Sequence, residues 1–512
     1  MGRKILFITT DQQRYDALGC NGGRVARTPV LDGLAAQGFN YARAHAQSVV
    51  CMPARASMIT GQYPRTHGVT MNGVPLPGDA PSVAELLHRE AGYRTALIGK
   101  AHFEPAFDMK HLYRETTIAD EADPVPYRGF EHVELNMHGA RGPWHYPRWL
   151  EAQSPGAADG FYRVMTRDFQ VNHQGGGDTE APQVWHNPVE RGLYHTDWVA
   201  RRVIDWLATL DDGEDWFCWM SFPDPHHPWD PPRDELNRVP WRELDLPAGW
   251  PASREAARAV LAQKPGHWLD WYEGRLVSNF EAPPRFVPAD LTADQVREIN
   301  ANVHVENELI DEACGSVLAY LAERGWADDT DILYTTDHGE LQGDFGLLFK
   351  GPYHVDALMR LPMFWRPAPT IDAGSAAIAA PVGQIDLAPT FCMIAGLPVP
   401  DWMQGRPLPQ SEDLSDGGRA DHVLTEWDSD INDIRMHLRS IWRADMLCTI
   451  YEPGTVHDGS EGELYDMKED PLQQRNLWAD PARREVRDDL IATLRDSLPP
   501  AREPALVREQ PV

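Results

Sequence analysis

Four short apolar segments constrain the fold more strongly than any other feature. They are "KILFITT", "YRTALIG", "DWFCWMS" and "TDILYTT", which begin at residues 4, 93, 215 and 330. Continuous apolar runs of this length are typical of strands buried on both faces of a parallel sheet. The last three each follow a segment with helical periodicity, and this alternation predicts a mostly parallel sheet with helices on both faces. The predicted fold class is therefore α/β.

Polar residues follow directly after these strands. In sheets of this kind ligands bind beyond the carboxyl ends of the strands. The residues at or just after the predicted strand ends include carboxylates, imidazoles and one ammonium, namely Asp11, Lys100, His102, His226, Asp337 and His338. The pattern predicts one polar site at this edge of the sheet.

The chain divides into two predicted regions. Residues 1–410 form the catalytic α/β domain, with long aperiodic insertions at about 104–192 and 230–288 that are rich in Pro, Trp, Gly and His. Residues 411–512 contain "HVLTEWD", "RMHLRSIWR", "DMLCTIYE" and "GELYD", followed by an amphipathic helical pattern. This second region is predicted to be a smaller α+β subdomain with a short antiparallel sheet.

The charge of the chain limits its partners. Its formal net charge is -30, from 77 acidic and 47 basic residues, and such a surface repels nucleic-acid phosphates and anionic lipid headgroups. We therefore expect neither nucleic acid nor a membrane as a partner. An anionic substrate would need a local cluster of basic residues.

Cysteine usage and hydropathy bear on the compartment. The six cysteines are scattered without a CxxC pair, a pattern that favours neither a zinc ribbon nor a disulfide framework. The first apolar run is too short for a signal peptide, and no run has the length of a membrane span. We expect a cytoplasmic protein. The long insertions and the C-terminal region leave room for a homo-oligomer.

The segment "SVVCMPARASMITGQYP" contains a cysteine, Cys51, whose role is open when it is considered alone. A buried apolar thiol is the common case, and a nucleophile, a metal ligand or the precursor of another group are the alternatives. The spacing Cys-x-Pro-x-Arg places Arg55 one helical turn beyond Cys51. Both side chains can then face one pocket at a helix N-terminus, which favours anions.

Five segments in order resemble the type I sulfatases and the related phosphonate monoester hydrolases, of the alkaline phosphatase superfamily. They are "CMPARASMITGQYPRTHG", "GKAHF", "PHHP", "TTDHGELQGDFGLLFK" and the C-terminal "RSIWR…GELYDMKEDPLQQRNLW". The resemblance covers most of the chain. It implies an alkaline phosphatase-like fold and the oxidation of Cys51 to 3-oxoalanine (formylglycine) by a formylglycine-generating or equivalent maturation enzyme.

The resemblance also implies one divalent cation beside residue 51. Its ligands would be Asp11, Gln12, Asp337, His338 and the modified Cys51. Many sulfatases have Asp in place of Gln12 and Asn in place of His338. Calcium prefers oxygen ligands, whereas manganese accepts imidazole more readily. Ca²⁺ is therefore the expected ion, and Mn²⁺ is the alternative.

A set of basic residues would bind the anionic substrate, according to the same resemblance. Its members are Arg55, Lys100, His102, His226 and Lys350. Lys100, His226 and Lys350 would contact the substrate. Asn72 lies at a spacing similar to a substrate-contacting asparagine of the phosphonate monoester hydrolases, although Asn-Gly is also a strong turn dipeptide.

The implied reaction is hydrolysis through a hydrated aldehyde at residue 51. One hydroxyl, activated by Arg55 and the cation, attacks sulfur or phosphorus, while Lys100 holds the non-bridging oxygens. His226 and Lys350 stabilise the departing oxygen. His102 then takes a proton from the second hydroxyl, and the ester collapses to aldehyde and free anion.

Lys100 and His102 favour a sulfatase acting on small sulfate monoesters. The Asp-Gln pair at residues 11–12, His338 and Asn72 favour the alternative, a phosphonate monoester hydrolase or phosphodiesterase. Two further hypotheses are a non-catalytic binder of sulfated ligands and a phosphotransferase with unmodified Cys51 as nucleophile. The natural substrate is not predicted.

Overall fold

The computed structural model describes residues 3–108, 110–121, 126–164, 172, 175–276, 282–283, 285–411, 420–431 and 433–510. The strands in these ranges are β1 Lys4–Thr10, β2 Phe39–Tyr41, β3 Ala44–His45, β4 Arg94–Gly99, β5 His132–Leu135, β6 Gly175–Gly176, β7 Ala181–Pro182, β8 Trp216–Ser221, β9 Thr330–Thr336, β10 Phe364–Arg366, β11 Ala376–Ile378, β12 Val382–Gly383, β13 His422–Ile431, β14 Ile434–Arg443, β15 Met446–Glu452 and β16 Gly462–Asp466. The α-helices are α1 Pro29–Ala36, α2 Cys51–Thr60, α3 Pro64–His67, α4 Val83–Ala91, α5 Arg114–Thr117, α6 His145–Gln153, α7 His195–Leu207, α8 Arg254–Leu261, α9 His267–Tyr272, α10 Ala293–Glu323, α11 Asp356–Met359, α12 Leu387–Ile394 and α13 Arg484–Ser497.

The largest sheet of the described chain has eight strands in the order β11-β2-β10-β9-β1-β8-β4-β5. All neighbours are parallel except β10, which runs antiparallel to both β9 and β2. The predicted mostly parallel α/β sheet is confirmed. One edge strand, β5, lies inside the segment 104–192 that was predicted to be an aperiodic insertion, because four residues are too few to show a period.

Both faces of the sheet are covered by helices, as the apolar runs predict. Along β1 the side chains alternate between two buried clusters. Ile5 and Phe7 face the cluster that includes residues of α2, α4 and α12. Leu6 and Ile8 face the cluster that includes residues of α1, α7 and α10. A strand buried on both sides in this way holds its carboxyl end rigidly, which positions the polar residues that follow it.

A second sheet of four antiparallel strands, in the order β13-β14-β15-β16, follows the large sheet. Leu490 and Leu494 of α13 pack on one face. Its first strand, β13, also contacts the segment before α2: the Glu426 N–H donates to the Gln47 carbonyl oxygen at 2.8 Å. The predicted small antiparallel subdomain is confirmed as a structure, and its boundary at residue 410 stays a prediction.

In the part of the chain that the structure describes, no helix combines the length and the apolar character needed to cross a membrane.

Candidate active site

Helix α2 begins at Cys51, so the thiol lies at the positive end of the helix. All ten residues of α2 are buried. The backbone N–H of Met52 donates to Asn72 Oδ1 at 3.1 Å. Asn72 therefore caps this helix through its side chain and precedes Gly73, whose φ of 86° is characteristic of a turn. The predicted contact of Asn72 with substrate stays a prediction.

Four side chains meet at the start of α2 and form what we call the acidic half of the site. Asp11 follows β1, and Asp337 and His338 follow the neighbouring β9. Together with Cys51 Sγ, one ligand atom of each lies within 4.8 Å of the others, and all four residues are buried. His338 Nε2 is 3.2 Å from the Cys51 sulfur. The structure thus brings together four of the five predicted metal ligands.

The protonation of His338 suits a metal ligand. Its Nδ1 lies 2.9 Å from the Gly339 carbonyl oxygen, which can only accept, so Nδ1 carries the hydrogen and Nε2 keeps a lone pair directed at the cluster. Burial lowers the pKa of His338 to about 4, although Asp337 opposes the shift. A histidine that binds a metal through one ring nitrogen commonly donates a hydrogen bond from the other to a backbone carbonyl. Two carboxylates and this neutral imidazole fit a divalent cation.

Arg55 lies against the acidic half and is fully buried. Its guanidinium donates to Asp337 Oδ2 at 2.9 Å and to Asp11 Oδ2 at 3.3 Å. A third bond, of 2.9 Å, goes to the Ser221 hydroxyl. Burial alone would raise the pKa of Asp11, but the nearby cations, Lys100 foremost, hold it well below its usual value. The Asp11 carboxylate therefore remains ionised although it is buried.

Gln12 follows Asp11 with a positive φ of 63°. Its amide oxygen accepts a hydrogen bond from Lys350 Nζ at 2.9 Å. Its amide nitrogen contacts His227 Nδ1 at 3.1 Å and also bonds to Glu340. A carbonyl oxygen has two lone pairs, and the bond from Lys350 uses one of them, which leaves one for a cation. A role for Gln12 as a metal ligand stays a prediction.

Two lysines and two histidines form what we call the basic half of the site. Lys100 is salt-bridged to Asp11 Oδ2, and its Nζ is 2.8 Å from His138 Nε2. Lys350 Nζ is likewise 2.8 Å from His226 Nε2. The two imidazole rings stack with centroids 3.7 Å apart and an interplanar angle of 18°. Lys100, His226 and Lys350, predicted as one set, are thus adjacent in space.

His102 was predicted as the base of the second step. It is buried, with a φ of 57°, and its backbone N–H donates to Glu115 Oε2 at 3.0 Å. Glu115 also accepts the N–H of Phe103 at 2.8 Å, so the turn after Lys100 is fixed by one carboxylate. The role of His102 as a base stays a prediction.

Sequence reasoning missed His138 and Glu340. His138 follows the short edge strand β5, and only a prediction that β5 pairs with β4 could have placed it beside Lys100. Glu340 stands two residues after His338 in "DHGE", and this proximity was a usable signal. Its carboxylate accepts the backbone N–H of Gln342 at 3.1 Å as well as that of Phe349, which fixes the loop that carries Lys350.

The Cys51 thiol is protonated in these surroundings. Burial, and secondly the Asp11 carboxylate, raise its pKa to about 12.

A doubly wound sheet with a helix N-terminus, two strand-end carboxylates and a set of cations at one edge defines the alkaline phosphatase-like class of hydrolases.

Comparison with known proteins gives the family. The profile of the Sulfatase family matches residues 3–397, and that of the C-terminal region of N-sulphoglucosamine sulphohydrolase matches residues 343–498. The chain belongs to the sulfatase family and is a hydrolase of that class.

Relatives that align over nearly the whole chain include both sulfatases and phosphonate hydrolases. An arylsulfatase of Clostridium perfringens is 25% identical over 93% of this chain and 90% of its own length. The multifunctional alkaline phosphatase superfamily protein PehA of Trinickia caryophylli is 28% identical over 94% of this chain and 92% of its own. A crystal structure of the phosphonate monoester hydrolase of Agrobacterium radiobacter superposes with a TM-score of 0.76 at 25% identity, covering 96% of this chain and 95% of that one.

Proposed function

We propose that this chain hydrolyses sulfate monoesters, using one divalent cation and a formylglycine derived from Cys51. The observation that carries the proposal is the position of Lys100, which is salt-bridged to Asp11 within the same buried site as Cys51. Lys100 and His102 match the sulfatase pattern residue by residue. A lysine there adds a positive charge where the non-bridging oxygens of a sulfate ester would lie.

The cation would be held by Asp11, Asp337 and His338, with residue 51 and Gln12 as further ligands. When bound, it supplies Lewis-acid stabilisation of the charge on the substrate oxygens. Ca²⁺ is the expected ion, and the imidazole of His338 makes Mn²⁺ the alternative.

The aldehyde at residue 51, once hydrated, supplies a nucleophilic hydroxyl and a second hydroxyl that lets the ester be released. Arg55 holds the Asp11 and Asp337 carboxylates in place through hydrogen bonds of 3.3 and 2.9 Å, respectively. The Lys100 ammonium is directed at the site by its salt bridge to Asp11. These groups are positioned before substrate arrives, so little reorganisation is needed.

His226 and Lys350 would stabilise the departing oxygen. His226 Nδ1 lies 2.5 Å from the His227 carbonyl oxygen, so Nδ1 carries a hydrogen and Nε2 accepts from Lys350. Lys350 can then deliver a proton towards the leaving group, while His226 holds the Lys350 ammonium in place. His102 is the proposed base for the last step.

A specific observation favours the alternative, a phosphonate monoester hydrolase or phosphodiesterase. His338 belongs to the acidic half and Gln12 directly follows Asp11, at positions where many sulfatases carry Asn and Asp. A phosphonate monoester hydrolase also superposes on nearly the whole chain. Replacing an aspartate by Gln12 lowers the negative charge of the site. The same nucleophile serves both reactions, so we expect cross-reactivity.

The test compares the kcat/KM values for aryl sulfate and aryl phosphonate esters, using purified protein whose metal content has been measured. We expect the sulfate to be preferred. A preference of more than about tenfold for the phosphonate would replace the first proposal by the alternative. Hydrolysis of neither ester would reject both.

Several accompanying features are also proposed. A formylglycine-generating or equivalent enzyme would act on the Cys51 segment, and the substrate would be a small anionic ester. The proposed location is cytoplasmic, and the five cysteines other than Cys51 form no disulfide. A homo-oligomer is compatible with the long insertions.

A further inference from the structure

His138 lies in the basic half, although no motif of the sequence pointed to it. The edge strand β5 pairs in parallel with β4, and Gly99 is in register with Leu135. The Asn136 N–H then donates to the Gly99 carbonyl oxygen at 3.0 Å. The chain therefore leaves β5 alongside β4, and His138, three residues beyond the strand, arrives next to Lys100.

The contact between these two residues has only one possible direction. An ammonium group has three N–H donors and no acceptor, so His138 Nε2 must accept from Lys100 at 2.8 Å. Burial and the positive charges of its neighbours hold the pKa of His138 well below its usual value, and the ring is therefore neutral. His138 orients Lys100 without adding a charge to the site.

Two of the three N–H donors of Lys100 have partners, and these partners set the direction of the third. One N–H is used by Asp11 and a second by His138, which leaves a third for an oxygen of an incoming anion. His138 itself is half-buried, whereas Lys100 is fully buried. Solvent therefore reaches the pair from the side of His138.

The second contact of His138 is with His226. The rings stack at 3.7 Å, and His226 accepts from Lys350 at 2.8 Å. The basic half is thus two lysine-histidine pairs joined through stacked imidazoles.

We propose that His138 is a positioning residue for the reaction proposed above: its Nε2 aims the third N–H of Lys100 at a non-bridging oxygen of the bound ester. The proposal rests on the proposed function. The loss of His138 would then weaken the binding of the transferred anionic group and leave the stabilisation of the leaving oxygen by Lys350 in place.

Two substitutions separate the two contacts of His138. His138→Phe keeps a ring that can stack on His226 but has no acceptor. His138→Gln has an amide oxygen close to the position of Nε2 but no ring. We expect kcat/KM for an aryl sulfate to fall about 100-fold in the Phe variant and less than about tenfold in the Gln variant. His132→Phe, on the same edge strand with its imidazole paired to Glu134, is the matched control and should change kcat/KM less than about twofold.

A double-substitution cycle tests the route through Lys100. In a Lys100→Met background the kcat/KM values of the Phe and Gln variants should differ by less than about twofold, because the ammonium that residue 138 positions is gone. Across aryl sulfates of increasing leaving-group pKa, the kcat/KM of the Phe variant should be lower than that of the wild type by a constant factor. A loss that grows with the leaving-group pKa, or one that persists in the Lys100→Met background, would overturn the proposal.

A binding readout keeps this test separate from that of the proposed function. The affinity for inorganic sulfate, measured by calorimetry, should fall about tenfold or more in His138→Phe and less than about threefold in His138→Gln. If the wild type hydrolyses neither ester but shows this sulfate pattern, the proposed function fails and the role of His138 stands. Equal affinities in both variants, or a wild type that binds no sulfate, would overturn the role of His138.

Discussion

The acidic half and the basic half of the site differ in how their side chains are held. Asp337 Oδ1 accepts the backbone N–H groups of Gln12 and His338, and His338 donates to the next carbonyl along the chain. In the basic half, Lys100 is held by a residue 38 positions away and Lys350 by one 124 positions away.

This difference assigns different roles to the two halves. Backbone bonds at the end of a buried strand fix Asp337 and His338 as part of the sheet itself. The basic half depends on where two long segments lie relative to each other, because His138 and His226 come from different connections. In the proposed reaction the acidic half therefore gives fixed ligand positions, and the basic half depends on the packing of the two connections that carry His138 and His226.

The largest effect is expected at Cys51, the member of the acidic half that is the proposed nucleophile precursor. Cys51→Ser, with mass spectrometry to verify that the serine is unconverted, supplies one hydroxyl in place of the two of the hydrated aldehyde, so kcat should fall by about 10⁴-fold or more because the second hydroxyl is missing. The measurement is the steady-state rate over many turnovers of an aryl sulfate. Cys218→Ser, a buried thiol on β8, is the control and should retain the activity of any folded fraction. Comparable activity in Cys51→Ser and wild type would contradict the proposed nucleophile.

Within the acidic half, Asp337→Asn should lower kcat/KM by about 10³-fold and reduce the bound divalent metal, because a charged ligand is removed. Metal content is measured by elemental analysis after dialysis. Asp331→Asn changes a buried carboxylate at the other end of the same strand, where it pairs with Arg3. That control should keep its metal, and equal loss of metal in both variants would refute a specific ligand role for Asp337.

Within the basic half, Lys350→Met should lower kcat by about 100-fold for esters with poor leaving groups and by about tenfold or less for nitrophenyl sulfate. The physical reason is that a good leaving group needs little stabilisation as it departs. The measurement is the dependence of kcat on leaving-group pKa. An unchanged slope relative to wild type would show that Lys350 does not act on the departing oxygen.

The smallest effect on activity is expected outside both halves, at Lys264. This buried lysine lies over the rings of Trp268, Phe345 and Tyr465 and donates to the Tyr465 hydroxyl at 2.6 Å. Lys264→Met should cost about 1–3 kcal/mol in the free energy of unfolding, because polar partners lose their donor. Activity at 25 °C should change less than about twofold, measured beside urea unfolding. A loss as large as that of Lys350→Met would mean that the C-terminal sheet controls the basic half.

The parts of the site that follow a strong local pattern could be predicted from the sequence. Asp11 and Asp337 follow buried apolar strands, and the parallel pairing of β1 with β9 brings them together. The burial of these strands on both faces followed from their continuous apolar runs, and the four C-terminal strands were also predicted from their segments.

The parts that depend on pairing between distant segments could not be predicted. His138 reaches Lys100 only because a four-residue strand, too short to show a period, adds to the edge of the sheet. The side-chain bonds of Gln12 likewise depend on a positive φ and on loops hundreds of residues away. Asn72 was predicted as a turn residue or a substrate contact, and its hydrogen bond to the backbone of α2 joins two segments that no periodicity connects.

The central claim is that Cys51 does not act as a thiol, and peptide mass spectrometry of the active protein tests it most directly. The tryptic peptide that contains residue 51 should carry the mass of the aldehyde or its hydrate, and the converted fraction should rise in proportion to specific activity across preparations. A fully active preparation in which residue 51 is entirely an alkylatable thiol would contradict the account.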